Sequence, residues 1–200
     1  MKTILALLLI PLISYSQDTI VNKILTSYFS NTYHNPTHVS YKLYKGGGDC
    51  NRSNLSFTTA GLINSSTKSD YKASGLDIGH LCPAEDFAYD CTLEKETFYF
   101  YNAVPQYPNL NRGIWKHYET EIRKDSQTDS LLIIAGAIYK HGFTISNTKV
   151  HIPIFCWKLV KSLSTGKILY CLLFTNESEK NTVKHISTNQ LEKLIGYKIL

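Results

Sequence analysis

The segment Gly75-Leu76-Asp77-Ile78-Gly79-His80-Leu81-Cys82-Pro83-Ala84 carries the most informative residue pattern of the chain. His80 follows a glycine, directly after a short β-like run and shortly before Pro83. A histidine there lies where a strand ends, which is a usual place for a catalytic side chain on a rigid support. Of the seven histidines, His80 alone has this context. Taken by itself, a histidine in an ordinary turn remains the better interpretation.

A helix is predicted from about Arg112 to Lys124, and it carries two rows of residues that recur every four positions. The first row is apolar and would pack on a sheet; it consists of Ile114, Tyr118 and Ile122. The second row drifts by only about 40° per step and is mostly polar; it consists of Asn111, Trp115, Glu119 and Arg123. The alternative for the second row is a solvated face with an internal pair between Glu119 and Arg123.

Asp77-Ile78-Gly79-His80, followed by Pro83, resembles the Asp-Arg-Gly-His motif of the DNA/RNA non-specific endonucleases, the Serratia-type family with a ββα-metal (His-Me finger) active site. Further matches occur in the same order and spacing; they are Asn102-Ala103-Val104-Pro105-Gln106, Asn111-Arg112-Gly113-Ile114-Trp115, and Glu119 with Arg123. The segments Val150 to Lys158 and Leu169 to Asn176 also resemble later strands of that family. The resemblance covers the chain from about Val39 to the C-terminus.

The resemblance implies a role for each matching residue. His80 would be the general base that takes a proton from the attacking water, which requires a neutral imidazole. Asn111 would be the direct protein ligand of a divalent ion, Mg²⁺ or as a second candidate Mn²⁺, with waters in the other positions. Glu119 would hold one of those waters. Asn102 would steady the site or the phosphate, and Arg123 would complete the polar row.

Ile78 stands where the motif of the family has an arginine close to the scissile phosphate. Losing that cation could cost a few kcal/mol of transition-state stabilisation unless another cation replaces it. The candidates for substrate binding are Arg52, Arg112 and Lys72, and the sequence does not choose among them.

The resemblance therefore predicts a metal-dependent endonuclease that hydrolyses phosphodiester bonds of DNA and RNA with little sequence preference. Its predicted partner is nucleic acid, and its predicted cofactor is Mg²⁺. One alternative is a nucleic-acid-binding protein of the same fold that cuts weakly or not at all because of Ile78. Another is a phosphodiesterase acting on a different substrate. A serine hydrolase is disfavoured, because the chain has no Gly-x-Ser-x-Gly segment.

The composition of the chain fits one folded domain. It has 200 residues, of which 43% are hydrophobic and 18% charged, with a net charge of +5 that suits a partner carrying phosphates. The expected fold is α+β, a central and mainly antiparallel sheet flanked by helices. Strands are predicted at Val39 to Tyr44, in the aromatic run Thr97 to Tyr101 with a strand end at Asn102, and at Leu131 to Tyr139, Val150 to Val160 and Ile168 to Thr175. A terminal helix is predicted near Thr188 to Ile195.

The first 16 residues have the pattern of a cleavable signal peptide. Lys2 precedes the apolar run Ile4 to Ile13, and Ser14-Tyr15-Ser16 supplies small residues before the cleavage site. The expected location is therefore secreted or periplasmic, without stable membrane association. Residues 17–38 are interpreted as an N-terminal lead-in with a short amphipathic helix around Ile20 to Phe29, and 39–200 as the endonuclease domain. The oligomeric state stays open.

Export would permit disulfide bonds, and the chain has five cysteines. If the segments around Cys156 and Cys171 form a hairpin turning near Ser164 to Gly166, the two thiols could face each other and bridge. The alternative is that both pack as small buried residues in a sheet. The sequence leaves the two alternatives equally open.

Overall fold

The computed structural model describes residues 17–61 and 64–200, so the predicted signal peptide lies outside the described residues. The strands of this part are β1 Gln17–Val21, β2 Leu25–Ser30, β3 Asn35–Leu43, β4 Asp77–His80, β5 Ala103–Gln106, β6 Leu131–Thr144, β7 His151–Ser162, β8 Ile168–Thr175 and β9 Val183–His185. The helices are α1 Lys68–Tyr71, α2 Cys91–Lys95, α3 Lys116–Asp125 and α4 Thr188–Ile195. Shorter helical turns are Ala84–Phe87, Phe100–Asn102 and Leu110–Trp115.

Seven of these strands form one antiparallel sheet in the order β1-β2-β3-β6-β7-β8-β9, and β4 pairs separately with β5. Four of the predicted strands and the terminal helix are present, and the strand Ile168–Thr175 and the helix Thr188–Ile195 have the predicted bounds. The predicted α+β class with a mainly antiparallel sheet is confirmed.

Alternating apolar residues give the large sheet a core on each face. Along β6, Leu131, Ile133 and Ala135 are buried on one face, and Ile134 is buried on the other. The first face packs against the β4–β5 pair and α3, as the predicted apolar stripe of the helix requires. The second face packs against α4 through Leu191. No helix in the described part of the chain is long and apolar enough to cross a membrane.

The helix predicted around Ile20 to Phe29 is wrong, because these residues form the β1–β2 hairpin. Ile20 pairs with Ser27, and the buried positions of β2 alternate with half-buried ones, which is the period of a strand. The side chain of Asn22 fixes the turn by accepting hydrogen bonds from the backbone N–H groups of Ile24 and Leu25. The hydrogen bonds of Asn22 therefore stabilise a hairpin turn, although the apolar residues have a spacing typical of a helix.

The strand predicted in the aromatic run Thr97 to Tyr101 is also wrong. Tyr99 forms only a single bridge with Thr58, and a helical turn follows over Phe100–Asn102. The strand β5 begins at Ala103, so Asn102 precedes it instead of ending it. The aromatic side chains pack into the cores from this irregular segment without needing a strand.

The proposed bridge between Cys156 and Cys171 does not form, although the hairpin does. Cys156 pairs with Phe174, whereas Cys171 pairs with Leu159, three positions further along β7. An odd offset places the two thiols on opposite faces of the sheet, where both are buried and free. The disulfide joins Cys50 to Cys91 instead.

Candidate active site

The site is built on the β4–β5 pair and the helix that follows it. His80 ends β4 opposite Ala103 of β5. A Cβ on Gly79 would lie 2.1 Å from Oε1 of the buried Gln106, so the strands approach this closely only because position 79 has no side chain. Trp115 donates a hydrogen bond of 3.2 Å from Nε1 to the carbonyl oxygen of His80. Two strands and a helix are thereby held together around one histidine.

A cleft of about 680 Å³ opens between these elements. It collects six of the predicted site residues, namely Arg52, His80, Asn111, Arg112, Glu119 and Arg123. Lys72 lies in a neighbouring depression that shares Asn111 and Arg112 with the cleft. Asn102 is fully buried and does not line the cleft.

The ring of His80 is enclosed by two phenylalanines. The centroid of Phe57 lies 4.5 Å from that of His80, and Phe98 meets the ring edge-on at 5.0 Å. Nε2 of His80 is buried and has no hydrogen-bond partner among the described residues. Burial, and then the positive charges of Arg52 and Lys158, lower the pKa of His80 to about 3. The imidazole is therefore neutral at physiological pH.

The carboxylate of Asp77 orients the two residues that follow the Leu110 turn. Oδ2 of Asp77 accepts a 2.9 Å hydrogen bond from Nδ2 of Asn111 and a 2.8 Å hydrogen bond from Nε of Arg112. Burial opposes ionisation of Asp77, but the hydrogen bonds from Arg112 and Asn111 outweigh it and lower its pKa. With Nδ2 engaged in this way, Oδ1 of Asn111 is the amide atom left to bind a ligand.

The backbone between Asn111 and Glu119 is not a regular α-helix. Leu110–Trp115 is a wide turn of the π type, and Gly113 has φ −103° and ψ −112°, outside helical values. Such turns occur frequently at functional sites. This turn interrupts the polar row that was predicted to recur every four residues from Asn111. Asn111 and Glu119 both line the cleft, whereas Trp115 between them is buried.

Glu119 faces an internal cation, so the alternative of a solvated helix face is wrong. Oε1 of Glu119 lies 3.6 Å from Nζ of Lys158, an ion pair too long for a hydrogen bond, and the side chain of Glu119 is only 12% exposed. Burial raises the pKa of Glu119 to about 7, although Lys158 acts in the opposite direction. The carboxyl thus titrates near neutrality in the absence of a bound cation.

Arg123 pairs with Asp86 and not with Glu119. Its Nε donates a 3.0 Å hydrogen bond to Oδ1 of Asp86, and the hydroxyl of Tyr41 donates to Oδ2 at the same distance. Asp86 is buried, and burial raises its pKa despite the neighbouring Arg123. The predicted polar row therefore ends in a network that joins the helix to β3.

Asn102 holds the chain immediately after His80. Its Oδ1 accepts a hydrogen bond from the N–H of Cys82, and its Nδ2 donates to the carbonyl oxygens of Cys82 and Thr97. The predicted role of steadying the site matches these contacts, whereas contact with a phosphate does not. Asn102 is accordingly a positioning residue.

Several polar residues of the site were not predicted from the sequence, among them Asp86, Lys116 and Lys158. Lys116 lines the cleft from the first turn of α3. Lys158 is the clearest omission, because its side chain is only 1% exposed and its Nζ lies 3.9 Å from the centre of the Trp115 ring. A charged residue on the inward side of an apolar strand, between Cys156 and Val160, was the available signal.

The oxygen donors of the cleft fit a hydrated hard cation. Among residues 17–61 and 64–200 there is no group of three or more His, Cys, Asp or Glu side chains that could hold a metal ion. The cleft instead presents the amide of Asn111 and the carboxylate of Glu119, without a thiolate. Such donors suit Mg²⁺ or Mn²⁺, which bind oxygen, and Mg²⁺ retains several waters.

The sequence matches the family model described as DNA/RNA non-specific endonuclease over residues 12–200. A nuclease of Nostoc sp. is 30% identical over 148 residues, which are 67% of this chain and 54% of that protein. Mitochondrial endonuclease G of Bos taurus is 31% identical over 96 residues, which are 46% of this chain and 32% of that protein. The chain thus spans about half the length of the first relative and about a third of the second.

The fold is similar to that of a solved structure, the crystal structure of an EndoG/EndoGI complex that addresses EndoG inhibition. The TM-score is 0.76 at 21% sequence identity, over 89% of this chain and 83% of that chain. At this identity the likeness shows the fold alone. It confirms the predicted ββα architecture around His80.

Proposed function

Because the chain belongs to the DNA/RNA non-specific endonuclease family, we propose that it is a metal-dependent endonuclease that hydrolyses phosphodiester bonds of DNA and RNA with little sequence preference. The observation that carries the proposal is the meeting of a neutral His80 with Asn111 and Glu119 in one cleft. A strand, its partner and a helix bring together residues that are up to 39 positions apart in the sequence.

His80 acts as the general base. Since Nε2 is enclosed by protein, we assign the proton-accepting position to Nδ1. The oxygen of the attacking water forms a bond to phosphorus while its proton moves to Nδ1, and the bond from phosphorus to the leaving ester oxygen breaks. The leaving oxygen takes a proton from solvent, and the protonated imidazole then releases its own.

Asn111 would hold the divalent ion through Oδ1, and Glu119 would hold water bound to that ion. When bound, a divalent ion supplies charge neutralisation at the phosphate and acidifies its bound water. Asp77 contributes by fixing the amide of Asn111. Lys158 contributes by placing its own positive charge beside the carboxylate of Glu119.

Arg52 is the cation that we propose in place of the arginine missing at position 78. It lines the cleft, its charge reaches His80, and its ion pair with Glu85 is half exposed to solvent and therefore weak. Arg112 is already engaged by Asp77, and Lys72 lies outside the cleft. Positive side chains of this kind contact backbone phosphates, which carry no sequence information. Binding is therefore expected to weaken as salt rises.

Export is part of the proposal and is supported by the disulfide between Cys50 and Cys91. Stable disulfides are typical of oxidising compartments. The apolar run near the N-terminus provides the corresponding signal in the sequence.

The decisive experiment measures degradation of plasmid DNA and unstructured RNA by residues 17–200 in Mg²⁺ and in Mn²⁺. We expect loss of both substrates, abolished by EDTA and by His80→Ala but not by His117→Ala, which removes an exposed histidine of α3. No cleavage by folded protein in either ion would overturn the proposal and favour the binding-only alternative. Cleavage of a small chromogenic diester without cleavage of nucleic acid would favour a different phosphodiester substrate.

A further inference from the structure

A shallow depression of about 790 Å³ lies beside the catalytic cleft. Its apolar lining comes from Phe57, Tyr71, Leu76 and Ile78. Ile78 and Leu76 are half-buried and pack against a separate small core that includes Tyr71 and Phe100. The lining is therefore a supported surface and not a set of loose side chains.

The depression is continuous with the cleft. Asn111 and Arg112 line both. Phe57 forms part of the wall of the depression, and its ring is also in contact with His80, with 4.5 Å between the ring centres. A nucleotide attached to a phosphate at His80 and Asn111 has this depression as its immediate neighbour.

The rim of the depression is positively charged. Lys68 and Lys72 are exposed at its edge and make no ion pair with another described residue. The carboxylate of Asp77 also lies there, but it is paired with Arg112. A single strand of nucleic acid has apolar base faces and anionic phosphates. The apolar lining of the depression suits the bases, and the lysines suit the phosphates.

We propose that this depression binds an unstacked base of the nucleotide next to the scissile phosphate, and that the enzyme consequently prefers unpaired DNA and RNA to duplex. The proposal rests on the proposed function and specifies its substrate. In a duplex both faces of a base are covered by stacking, so only an unpaired or flipped base can offer a face to Phe57 and Ile78. Because every base has such a face, this contact adds affinity without sequence preference.

Ile78 gains a role in this arrangement. An arginine at position 78 would place a charged group in the lining of the depression. The isoleucine gives up that cation and supplies apolar surface instead. The departure from the family motif therefore marks a change in how the substrate strand is held.

The test uses single-stranded oligonucleotides with one cleavable phosphodiester, the other linkages being methylphosphonates. One substrate carries bases on both sides of the cleavable bond, and two others replace one flanking nucleotide by an abasic tetrahydrofuran unit. We expect kcat/KM to fall about tenfold for the abasic unit on one side, the scale of a lost stacking contact. Equal kcat/KM for all three substrates would overturn the inference.

Variants locate the contact in the depression. Ile78→Ala and Leu76→Ala should reduce the ratio of kcat/KM between the base-containing and abasic substrates, and Leu194→Ala on the exposed face of α4 should not. An unchanged ratio in folded Ile78→Ala protein would place the contact elsewhere and contradict the inference. The comparison of substrates on the unmodified protein does not depend on any variant folding.

The two proposals fail in different ways. If the unmodified chain cleaves none of the substrates in Mg²⁺ or Mn²⁺, the proposed function is wrong. If it cleaves a duplex as fast as the matching single strand and ignores the abasic units, the endonuclease proposal stands and only the base-binding inference is wrong.

Discussion

Nζ of Lys158 lies 3.6 Å from Oε1 of Glu119 and donates a 3.2 Å hydrogen bond to the carbonyl oxygen of Leu81. One buried cation therefore connects the helix that carries Glu119 to the residue that follows His80. The ring of Trp115 covers the same ammonium group at 3.9 Å. Three residues, Leu81, Trp115 and Glu119, contact this single charge.

Above pH 7, where Glu119 is ionised, Lys158→Met should lower the free energy of unfolding by about 3–5 kcal/mol, because it leaves a largely enclosed carboxylate without its cation. Adding Glu119→Gln should restore most of the loss, since no unpaired charge then remains. Urea denaturation of the two single variants and the double variant measures this coupling. Lys140→Met, at an exposed position of β6, is the matched control. Independent, additive effects of the two substitutions would contradict the arrangement.

The enclosed ring of His80 should make the protein sensitive to acid. Its pKa is about 3 in the folded protein against 6.5 for the free side chain, so between these values the unfolded chain binds the extra proton. Stability should therefore be complete above pH 6.5 and fall as the pH decreases towards 3, by about 1.4 kcal/mol per pH unit from this residue. His80→Asn should reduce the slope by this amount and leave the share of His38, whose pKa burial lowers to about 4. Urea unfolding in EDTA from pH 7 to pH 4 tests it, with His117→Asn expected to behave like the unmodified chain.

Gly79→Ala should destabilise the site, because a new Cβ would lie 2.1 Å from Oε1 of Gln106. Overpacking of this kind typically costs about 1–3 kcal/mol. All three clashing atoms belong to the Gln106 side chain beyond its Cβ, so Gln106→Ala should relieve the strain. Thermal unfolding of the single and double variants measures the relief. If the loss of stability in the double variant equals the sum of the losses in the two single variants, Gly79 is needed for another reason.

Removing the disulfide through Cys50→Ser with Cys91→Ser should lower the free energy of unfolding by about 4 kcal/mol, as expected for a bond closing a loop of roughly 40 residues. The same change should weaken cleavage, because Arg52 lies two positions from Cys50. Denaturation and kcat/KM of the double variant are the measurements. The matched control is Cys171→Ser, which alters a free cysteine on the face of the large sheet that packs against α4. Equal stability with and without the bond would contradict the prediction.

Sequence patterns predicted the strands in which apolar residues alternate and the terminal helix in which they recur every three or four positions. They failed in the N-terminal hairpin and in the run before Asn102, where the side chains of Asn22 and Asn102 form hydrogen bonds with the backbone. Such contacts depend on which backbone groups lie nearby in space. Local spacing contains no information about that proximity.

At the site, the sequence identified six of the residues that line the cleft, five of them within the ordered motifs and Arg52 outside them. They did not identify Lys158, whose importance comes from the pairing of β7 opposite the helix and not from its sequence neighbours. They left open whether Asn102 steadies the site or the phosphate, and its three hydrogen bonds to the backbone at Cys82 and Thr97 favour the site. A buried amide and a catalytic amide look the same in a sequence, because only the folded chain distinguishes their partners.

Oδ2 of Asp77 receives hydrogen bonds from both Asn111 and Arg112. A phosphate that draws the exposed Arg112 away would leave that oxygen to Asn111 alone, so occupancy by substrate and orientation of the amide are linked equilibria. Linkage of this kind is reciprocal. An ion bound by Asn111, as proposed, would therefore change the affinity of Arg112 for phosphate by the same factor by which phosphate changes the affinity for the ion.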